Sequence, residues 1–124
     1  KNFKQFSPTT KISLFLAPDI DLIPLLPPLD IQAVEVHTGD YAHRYPQHNH
    51  ELHKIKSFLL QLKTLKIGLH AGHGLTNESI VPLLQQGIIE EYNIGHWIIS
   101  ESIFTGIEHV VRDLKQMILK YPLL

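Results

Sequence analysis

The 124-residue chain contains no cysteine, and it has no excess of charge of either sign. The lack of cysteine excludes disulfide bonds, thiolate nucleophiles and cysteine-based zinc sites. The net charge is −1 with histidine neutral, so the sequence has no excess of positive charge that would attract nucleic acid or an anionic membrane. No apolar run reaches the roughly 18 residues of a membrane span, and the first residues lack the apolar core of a signal peptide. We therefore expect a soluble, cytoplasmic protein without nucleic-acid or membrane partners.

Apolar residues are plentiful, and so are histidines. Apolar residues make up 44% of the chain and charged residues 19%, which suits one packed domain rather than a disordered segment. Nine histidines are present, and four of them (His43, His48, His50 and His53) crowd one polar stretch. The chain begins with lysine rather than methionine, so we expect that an upstream part has been removed.

Short apolar segments, predicted as strands, alternate with longer segments predicted as helices. The strands are predicted over residues 12–16, 33–37, 67–70 and 89–94. The clearest helix is predicted over 52–65, where apolar residues recur at helical spacing. Other helices are predicted over 18–26, where Pro24 makes the helix doubtful, over 76–86, and over 103–119; a polar loop is predicted up to residue 49. Four consecutive βα units predict an α/β fold with parallel strands.

The predicted second strand favours a closed barrel over an open sheet. Val34 and Val36 share one face of this strand, whereas Glu35 and His37 share the other. Central strands of an open doubly wound sheet are nearly continuous apolar runs, so polar residues on one face indicate a (βα)8 TIM barrel with an inward polar face. Such a barrel needs eight strands and about 250 residues, so four units make half of it.

The distinctive polar residues all lie near the C-terminal ends of predicted strands: Glu35, His37, His73, Asn93 and His96. Active sites of parallel α/β folds are built at this end. One such residue alone could simply cap a strand or satisfy loop backbone. Their recurrence on three consecutive strands favours a common site.

Two Gly-His pairs indicate a site for an anion. His73-Gly74 follows the third predicted strand, and Gly95-His96 follows the fourth. Glycine allows a ligand to approach the backbone closely, and a helix N-terminus offers unpaired N–H groups. The last strand–loop junctions of TIM barrels frequently hold a phosphate, so we expect a phosphate here.

The acid–base candidates are Glu35 and His73, and the sequence allows two interpretations of each. Glu35 is either a salt-bridged residue of the barrel interior or a charge that stabilises a cationic intermediate or assists proton transfer. His73 is either a hydrogen-bonded turn residue or an acid or base near neutral pH. His48, His50 and His53 have a spacing that could suit zinc or nickel, but solvated surface histidines explain this polar loop better, and we predict no metal site.

Four motifs in order resemble the last four strand motifs of the pyridoxine 5′-phosphate synthase family. They are ISLFLAPD at 12–19, VEVHTGDYA at 34–42, GLHAGHGL at 68–75 and EYNIGH at 91–96. The resemblance spans about residues 11–117. It implies that residues 1–124 are the C-terminal half of a single TIM-barrel domain, supplying the last four βα units, with the N-terminal half absent.

The resemblance also implies an activity. Enzymes of this family condense 1-deoxy-D-xylulose 5-phosphate with 3-amino-2-oxopropyl phosphate, giving pyridoxine 5′-phosphate, inorganic phosphate and water. They need no metal or organic cofactor and assemble as homo-octamers. By resemblance, His73 is the proton donor, Glu35 stabilises the transition state, and Gly74, Gly95 and His96 bind substrate and its phosphate.

Some positions depart from the family pattern. Ala17 stands where the family usually has Asp, His70 where it has Asn, and Trp97 where it has a small residue. The family's motifs from the first four strands are missing, so we expect this chain alone to be inactive, and residues 2–6 are predicted as the tail of a helix. Two alternatives remain open: a non-catalytic phosphate-binding half-barrel module, and another phosphosugar barrel enzyme such as an isomerase or epimerase.

Overall fold

The fold is built on a single four-stranded parallel sheet. We describe it from a computed structural model, which covers residues 7–124. The strands are β1 (Ser13–Leu16), β2 (Ala33–His37), β3 (Gly68–Gly72) and β4 (Glu91–Asn93). They lie side by side in the order β1-β2-β3-β4, and every neighbouring pair is parallel. The prediction of an α/β chain with consecutive parallel strands is confirmed, and the sheet is consistent with part of a TIM barrel.

In the described part of the chain, five α-helices connect or follow the strands. They are α1 (Gly39–Arg44), α2 (Asn49–Leu62), α3 (Val81–Leu84), α4 (His96–Thr105) and α5 (Ile107–Leu119), and short 3-10 helices span Ile20–Leu25 and Lys63–Leu65. None of the helices within residues 7–124 combines the length and the apolarity that crossing a bilayer requires.

The two faces of the sheet have opposite characters. Val34 and Val36 of β2 are fully buried and pack in one cluster with Phe58 and Leu59 of α2. On the other face no helix within residues 7–124 covers the strands: Phe15 is 52% exposed, and Glu35 is partly exposed. The predicted division of β2 into an apolar and a polar face is therefore confirmed. Burying the apolar face stabilises the fold by the hydrophobic effect and leaves the polar face available for a site.

A second cluster joins the C-terminal helices to β4. Ile80, Leu84 and Leu114 are buried together, and Tyr92 and Trp97 pack against them. This cluster fixes α4 and α5 next to the end of β4, so the first turn of α4 is held at the same edge as the β3–α3 loop.

The segment 38–49, predicted as a loop, contains α1. The buried Tyr41 ring anchors this helix, and its hydroxyl donates to the Ser79 carbonyl oxygen at 2.5 Å. One buried residue in a polar stretch gives no periodic pattern, which is why the helix was missed.

Other boundaries were also predicted wrongly. The strand predicted over 89–94 is the shorter β4, and the doubtful helix predicted over 18–26 is the 3-10 helix Ile20–Leu25. The helix predicted over 76–86 is reduced to α3, because Thr76 and Ser79 bond to each other and hold a turn before it. The helix predicted over 103–119 is two helices, α4 and α5, separated by Gly106 at φ 85°. The strand predicted over 67–70 begins at Gly68 and extends to Gly72. The helix tail predicted over 2–6 lies outside the described residues.

Candidate functional site

The loop after β3 is held in an unusual backbone conformation. His73 has φ 84° and Gly74 has φ 74°, so two successive residues lie in the left-handed region. The buried Thr38 hydroxyl lies 2.7 Å from both the Gly72 and the His73 carbonyl oxygens, to which it can donate. A non-glycine residue in this region costs about 1–3 kcal/mol and persists only when its surroundings impose it. Thr38 supplies that restraint and leaves the His73 side chain exposed.

Glu35 reaches across the neighbouring strand to β4. Its Oε2 accepts a hydrogen bond from Asn93 Nδ2 at 2.9 Å, although Glu35 is on β2 and Asn93 is on β4. The register partner of Asn93 on the intervening strand β3 is Gly72, where an added Cβ would lie only 2.1 Å from Glu35 Oε1. The missing side chain at Gly72 therefore makes room for the carboxylate.

Two further groups complete this polar network. Asn93 Nδ2 also lies 3.4 Å from Glu91 Oε1, and His70 Nδ1 lies 3.6 Å from the same oxygen. His70 is thus paired with Glu91 on the open face of the sheet, in register with Glu35. Sequence reasoning placed Asn93 at a strand end but missed its contact with Glu35.

A pocket of about 780 Å³ lies between the β3–α3 loop and the start of α4. Such a volume suits a phosphorylated small molecule. Four of the five predicted site residues line it, and Glu35 is joined to it through Asn93. The lining residues are His73, Gly74, Leu75, Thr76, Asn93, Ile94, Gly95, His96, Trp97 and Ser100.

The first turn of α4 offers hydrogen-bond donors to this pocket. Gly95 is the N-cap of α4, and His96 is its first residue. The first N–H groups of a helix have no partner within the helix, and its N-terminus carries a partial positive charge. Gly95 has φ −116°, which any residue can adopt, and an added Cβ there would meet nothing within 4 Å. The protein's own packing therefore does not require glycine at this position.

His37 lies beside the pocket rather than in it. Its ring stacks on the His73 ring, with 4.7 Å between the centroids and 24° between the planes. The predicted neighbours Glu35, His37 and His73 thus lie at the same C-terminal rim of the sheet as the Gly95-His96 turn.

The histidines between residues 43 and 53 are not gathered around one point. Within residues 7–124, no group of three His, Cys, Asp or Glu side chains could hold a metal ion. His50 and His53 are exposed, in agreement with the surface interpretation. For His48 that interpretation is wrong, because its ring stacks on Tyr45 at 4.8 Å and meets Tyr41 edge-on.

Two tyrosines support the site from the buried side of the sheet. Burial is the main cause that raises the pKa of Tyr41, and the neighbouring Tyr45 adds to it. Burial also raises the pKa of Tyr92 on β4. Both phenols therefore remain neutral over the ordinary pH range and act as packing and hydrogen-bonding groups.

The three residues that depart from the family pattern lie in different places. Trp97 lines the pocket next to His96. His70 faces Glu91, and Ala17 lines a neighbouring cavity beyond the end of β1.

Comparison with known proteins identifies a family and relatives for this chain. A family model described as "Pyridoxal phosphate biosynthesis protein PdxJ" matches residues 3–120. Among curated relatives, the pyridoxine 5′-phosphate synthase of Sulfurihydrogenibium sp. is 37% identical over 109 residues, which cover 87% of this chain and 45% of the relative. The synthase of Geobacter sulfurreducens is 35% identical over 109 residues, covering 86% and 46%. That of Zymomonas mobilis is 37% identical over 108 residues, covering 86% and 42%.

The chain spans less than half the length of these curated relatives. The match nevertheless extends over nearly the whole chain, including all four strands and the pocket between the β3–α3 loop and α4. The chain therefore belongs to the PdxJ family of pyridoxal phosphate biosynthesis proteins.

Proposed function

We propose that this chain is the C-terminal half of a (βα)8-barrel pyridoxine 5′-phosphate synthase, and that residues 1–124 supply its last four βα units. The proposal is supported by the family match and by a parallel sheet whose polar face has no helical cover. In a closed barrel that face would become the interior. The synthase would act in the cytoplasm.

The observation that carries the proposal is the position of Asn93. Its side chain lines the pocket formed by His73, Gly95 and His96, and it also donates to Glu35. One carboxylate, one imidazole and one set of free N–H groups are thereby joined at a single rim. This is the combination that a reaction of phosphorylated substrates with proton transfer requires.

The substrates of the proposed reaction are 1-deoxy-D-xylulose 5-phosphate and 3-amino-2-oxopropyl phosphate. The pocket would hold the phosphate of one of them. Gly74 and Gly95 allow close approach to the backbone, and the first turn of α4 supplies N–H donors. His96 is exposed at the same turn and can add a side-chain hydrogen bond.

Glu35 and His73 would serve the two halves of the chemistry. When the substrate amine adds to a ketone, the carbinolamine loses its oxygen as water and the nitrogen becomes positively charged. A fixed carboxylate such as Glu35 stabilises that charge. The exposed imidazole of His73, on the pocket wall, can give a proton to the departing oxygen.

The proposed enzyme is incomplete in this chain. Large apolar side chains of the last two helices are exposed, including Ile103 at 78% and Phe104 at 84%. We propose that the missing half and neighbouring subunits of a homo-octamer cover such surfaces, that no metal or organic cofactor takes part, and that these residues alone have no synthase activity.

A hybrid synthase tests the proposal. In it, the matched 109 residues of the Sulfurihydrogenibium relative are replaced by the matching segment of this chain. We expect the hybrid to form pyridoxine 5′-phosphate, His73→Asn to lower this activity by roughly 100- to 10,000-fold while leaving a measurable rate, and the exposed α5 variant His109→Asn to retain full activity.

The two alternatives predict different results. A folded hybrid that binds inorganic phosphate but forms no product would indicate a non-catalytic phosphate-binding module. Full activity of the hybrid with His73→Asn would show that His73 takes no part in the mechanism. Turnover of a different sugar phosphate, with no pyridoxine 5′-phosphate formed, would indicate another barrel enzyme.

A further inference from the structure

The ring of His37 is held on several sides. It stacks on His73, and the ring of Phe15 meets it edge-on with 5.1 Å between centroids. His37 Nδ1 accepts the backbone N–H of Gly39 at 3.3 Å. A neutral imidazole that accepts at Nδ1 carries its proton on Nε2, so this hydrogen bond fixes both the plane and the tautomer of His37.

Gly39 makes the stacked arrangement possible. An added Cβ at this position would lie 2.5 Å from His37 Cε1 and 2.9 Å from His73 Cδ2. Both imidazoles therefore pack over the first residue of α1, and the lack of a side chain there gives them room. The turn that links β2 to α1 begins directly after His37, and this brings Gly39 next to both rings.

The His73 ring has few restraints of its own. Among the described residues its side chain makes no hydrogen bond, and its ring contacts are with His37 and, at 6.5 Å, with Phe15. Thr38 fixes the backbone of His73 but not its side-chain torsions. Stacking on His37 is accordingly the closer of the two ring contacts that limit where the exposed imidazole points.

The stacked pair also lies between two cavities. His73 lines the pocket with Gly95 and His96, whereas His37 lines a neighbouring cavity of about 650 Å³ with Asp40 and Arg44. The two cavities share no lining residue. His73 is thus the member of the pair that lines the pocket, and His37 is the member that lines the neighbouring cavity.

We propose that His37 is a positioning residue, which holds the His73 imidazole over the pocket by stacking on it. This inference rests on the proposed function, in which His73 transfers a proton. An acid must lie within hydrogen-bond reach of the atom it serves, and misplacement by about 1 Å can cost about 100-fold in rate. A ring held by stacking avoids that loss, whereas a free exposed side chain samples several rotamers.

Two substitutions at position 37 separate stacking from hydrogen bonding. His37→Phe keeps a ring to stack on His73 but loses the acceptor for Gly39. His37→Asn keeps an acceptor close to the position of Nδ1 but loses the ring. In the hybrid synthase we expect His37→Phe to keep kcat within about twofold and His37→Asn to lower kcat by roughly 10- to 100-fold, with KM nearly unchanged.

A double variant makes the test specific for His73. If His37 acts only through that ring, His37→Asn should cause no further loss of kcat in a His73→Asn background, because coupled residues are not additive. A further loss of the same size in that background would overturn the inference. Equal losses for His37→Phe and His37→Asn would also overturn it, since they would indicate a general structural role.

The result is distinguishable from failure of the proposed function. Full activity of His73→Asn would refute the catalytic assignment itself. Loss of activity in His73→Asn, together with full activity in His37→Asn, would refute only the positioning role. Nitrogen-15 NMR of the histidine rings gives an independent measurement: we expect the proton of neutral His37 on Nε2, and a proton on Nδ1 would contradict the geometry.

Discussion

Replacing Gly95 by alanine tests the phosphate site without disturbing the fold. Gly95 caps α4, lines the pocket, and has φ −116° and ψ −67°. An added Cβ would meet no atom within 4 Å. Where the backbone is compatible, Gly→Ala stabilises a protein by about 0.4–1 kcal/mol through the unfolded state. We therefore expect the free energy of unfolding to stay unchanged or to rise slightly.

The affinity for phosphate should decrease in the same variant. The new methyl group would stand at the open end of α4, where a phosphate oxygen would approach the backbone N–H groups. Losing one hydrogen bond to a charged group costs about 1.5–3 kcal/mol. Since 1.4 kcal/mol is a factor of ten, the Kd for inorganic phosphate should increase by roughly 10- to 100-fold.

The matched control is Gly106→Ala, which should give the reverse pattern. Gly106 has φ 85° and also meets nothing within 4 Å, so alanine there is strained but far from the pocket. We expect it to lower stability by about 1–2 kcal/mol and to leave phosphate affinity unchanged. Urea unfolding and isothermal titration calorimetry measure the two quantities. Unchanged phosphate affinity in Gly95→Ala would refute our placement of the anion.

Three further predictions concern the residues that hold the site. Thr38→Val, which keeps the shape but removes the donor to the His73 carbonyl, should lower the free energy of unfolding by about 1–3 kcal/mol, whereas Thr38→Ser should restore most of it in the same urea titration. Gly72→Ala should displace the Glu35 carboxylate from its contact with Asn93, so the hybrid should lose kcat while its melting temperature changes little; unchanged kcat would contradict the role of this contact. Burial raises the pKa of Tyr41 in the folded state above its ordinary value of 10.0. The contribution of the neutral phenol to stability is therefore complete below pH 10.0, and the free energy of unfolding falls by about 1.4 kcal/mol for each pH unit above that value. Tyr41→Phe should flatten that alkaline decline in unfolding experiments between pH 9 and 12, and an identical decline in both proteins would count against it.

The strand pattern could be predicted from the sequence because it depends on local alternation. The strand predicted over 33–37 is β2, and its polar and apolar faces are those that the alternation indicates. The convergence of the site residues also follows from the sequence, since parallel strands deliver their C-terminal ends to one edge. His73, Gly74, Gly95 and His96 share one pocket for that reason.

The contact between Glu35 and Asn93 could not be predicted in the same way. The two residues are separated by 58 positions and by a whole strand, and they meet because Gly72, the register partner of Asn93 on the intervening strand, leaves room for the Glu35 carboxylate. Register is a property of the folded sheet rather than of any local pattern. The stacking of His37 on His73 likewise depends on Gly39, whose lack of a side chain has no visible consequence until the loop is folded.

The short helices were missed for a different reason. A helix of six residues such as α1 makes less than two turns, so its sequence shows no helical repeat of apolar residues. A single buried residue, Tyr41, anchors this helix instead. The break between α4 and α5 depends on the left-handed conformation of Gly106, and a single glycine within a helical pattern does not by itself predict an interruption.

The most direct test of the central claim is an NMR titration of the nitrogen-15-labelled chain with inorganic phosphate. If Glu35, His73 and the start of α4 share one rim with the anion site, the largest changes should occur at the backbone amides of Gly74, Gly95 and His96 and in the His73 ring. Changes centred instead on Arg44 and the neighbouring cavity, with the α4 amides unaffected, would contradict the account.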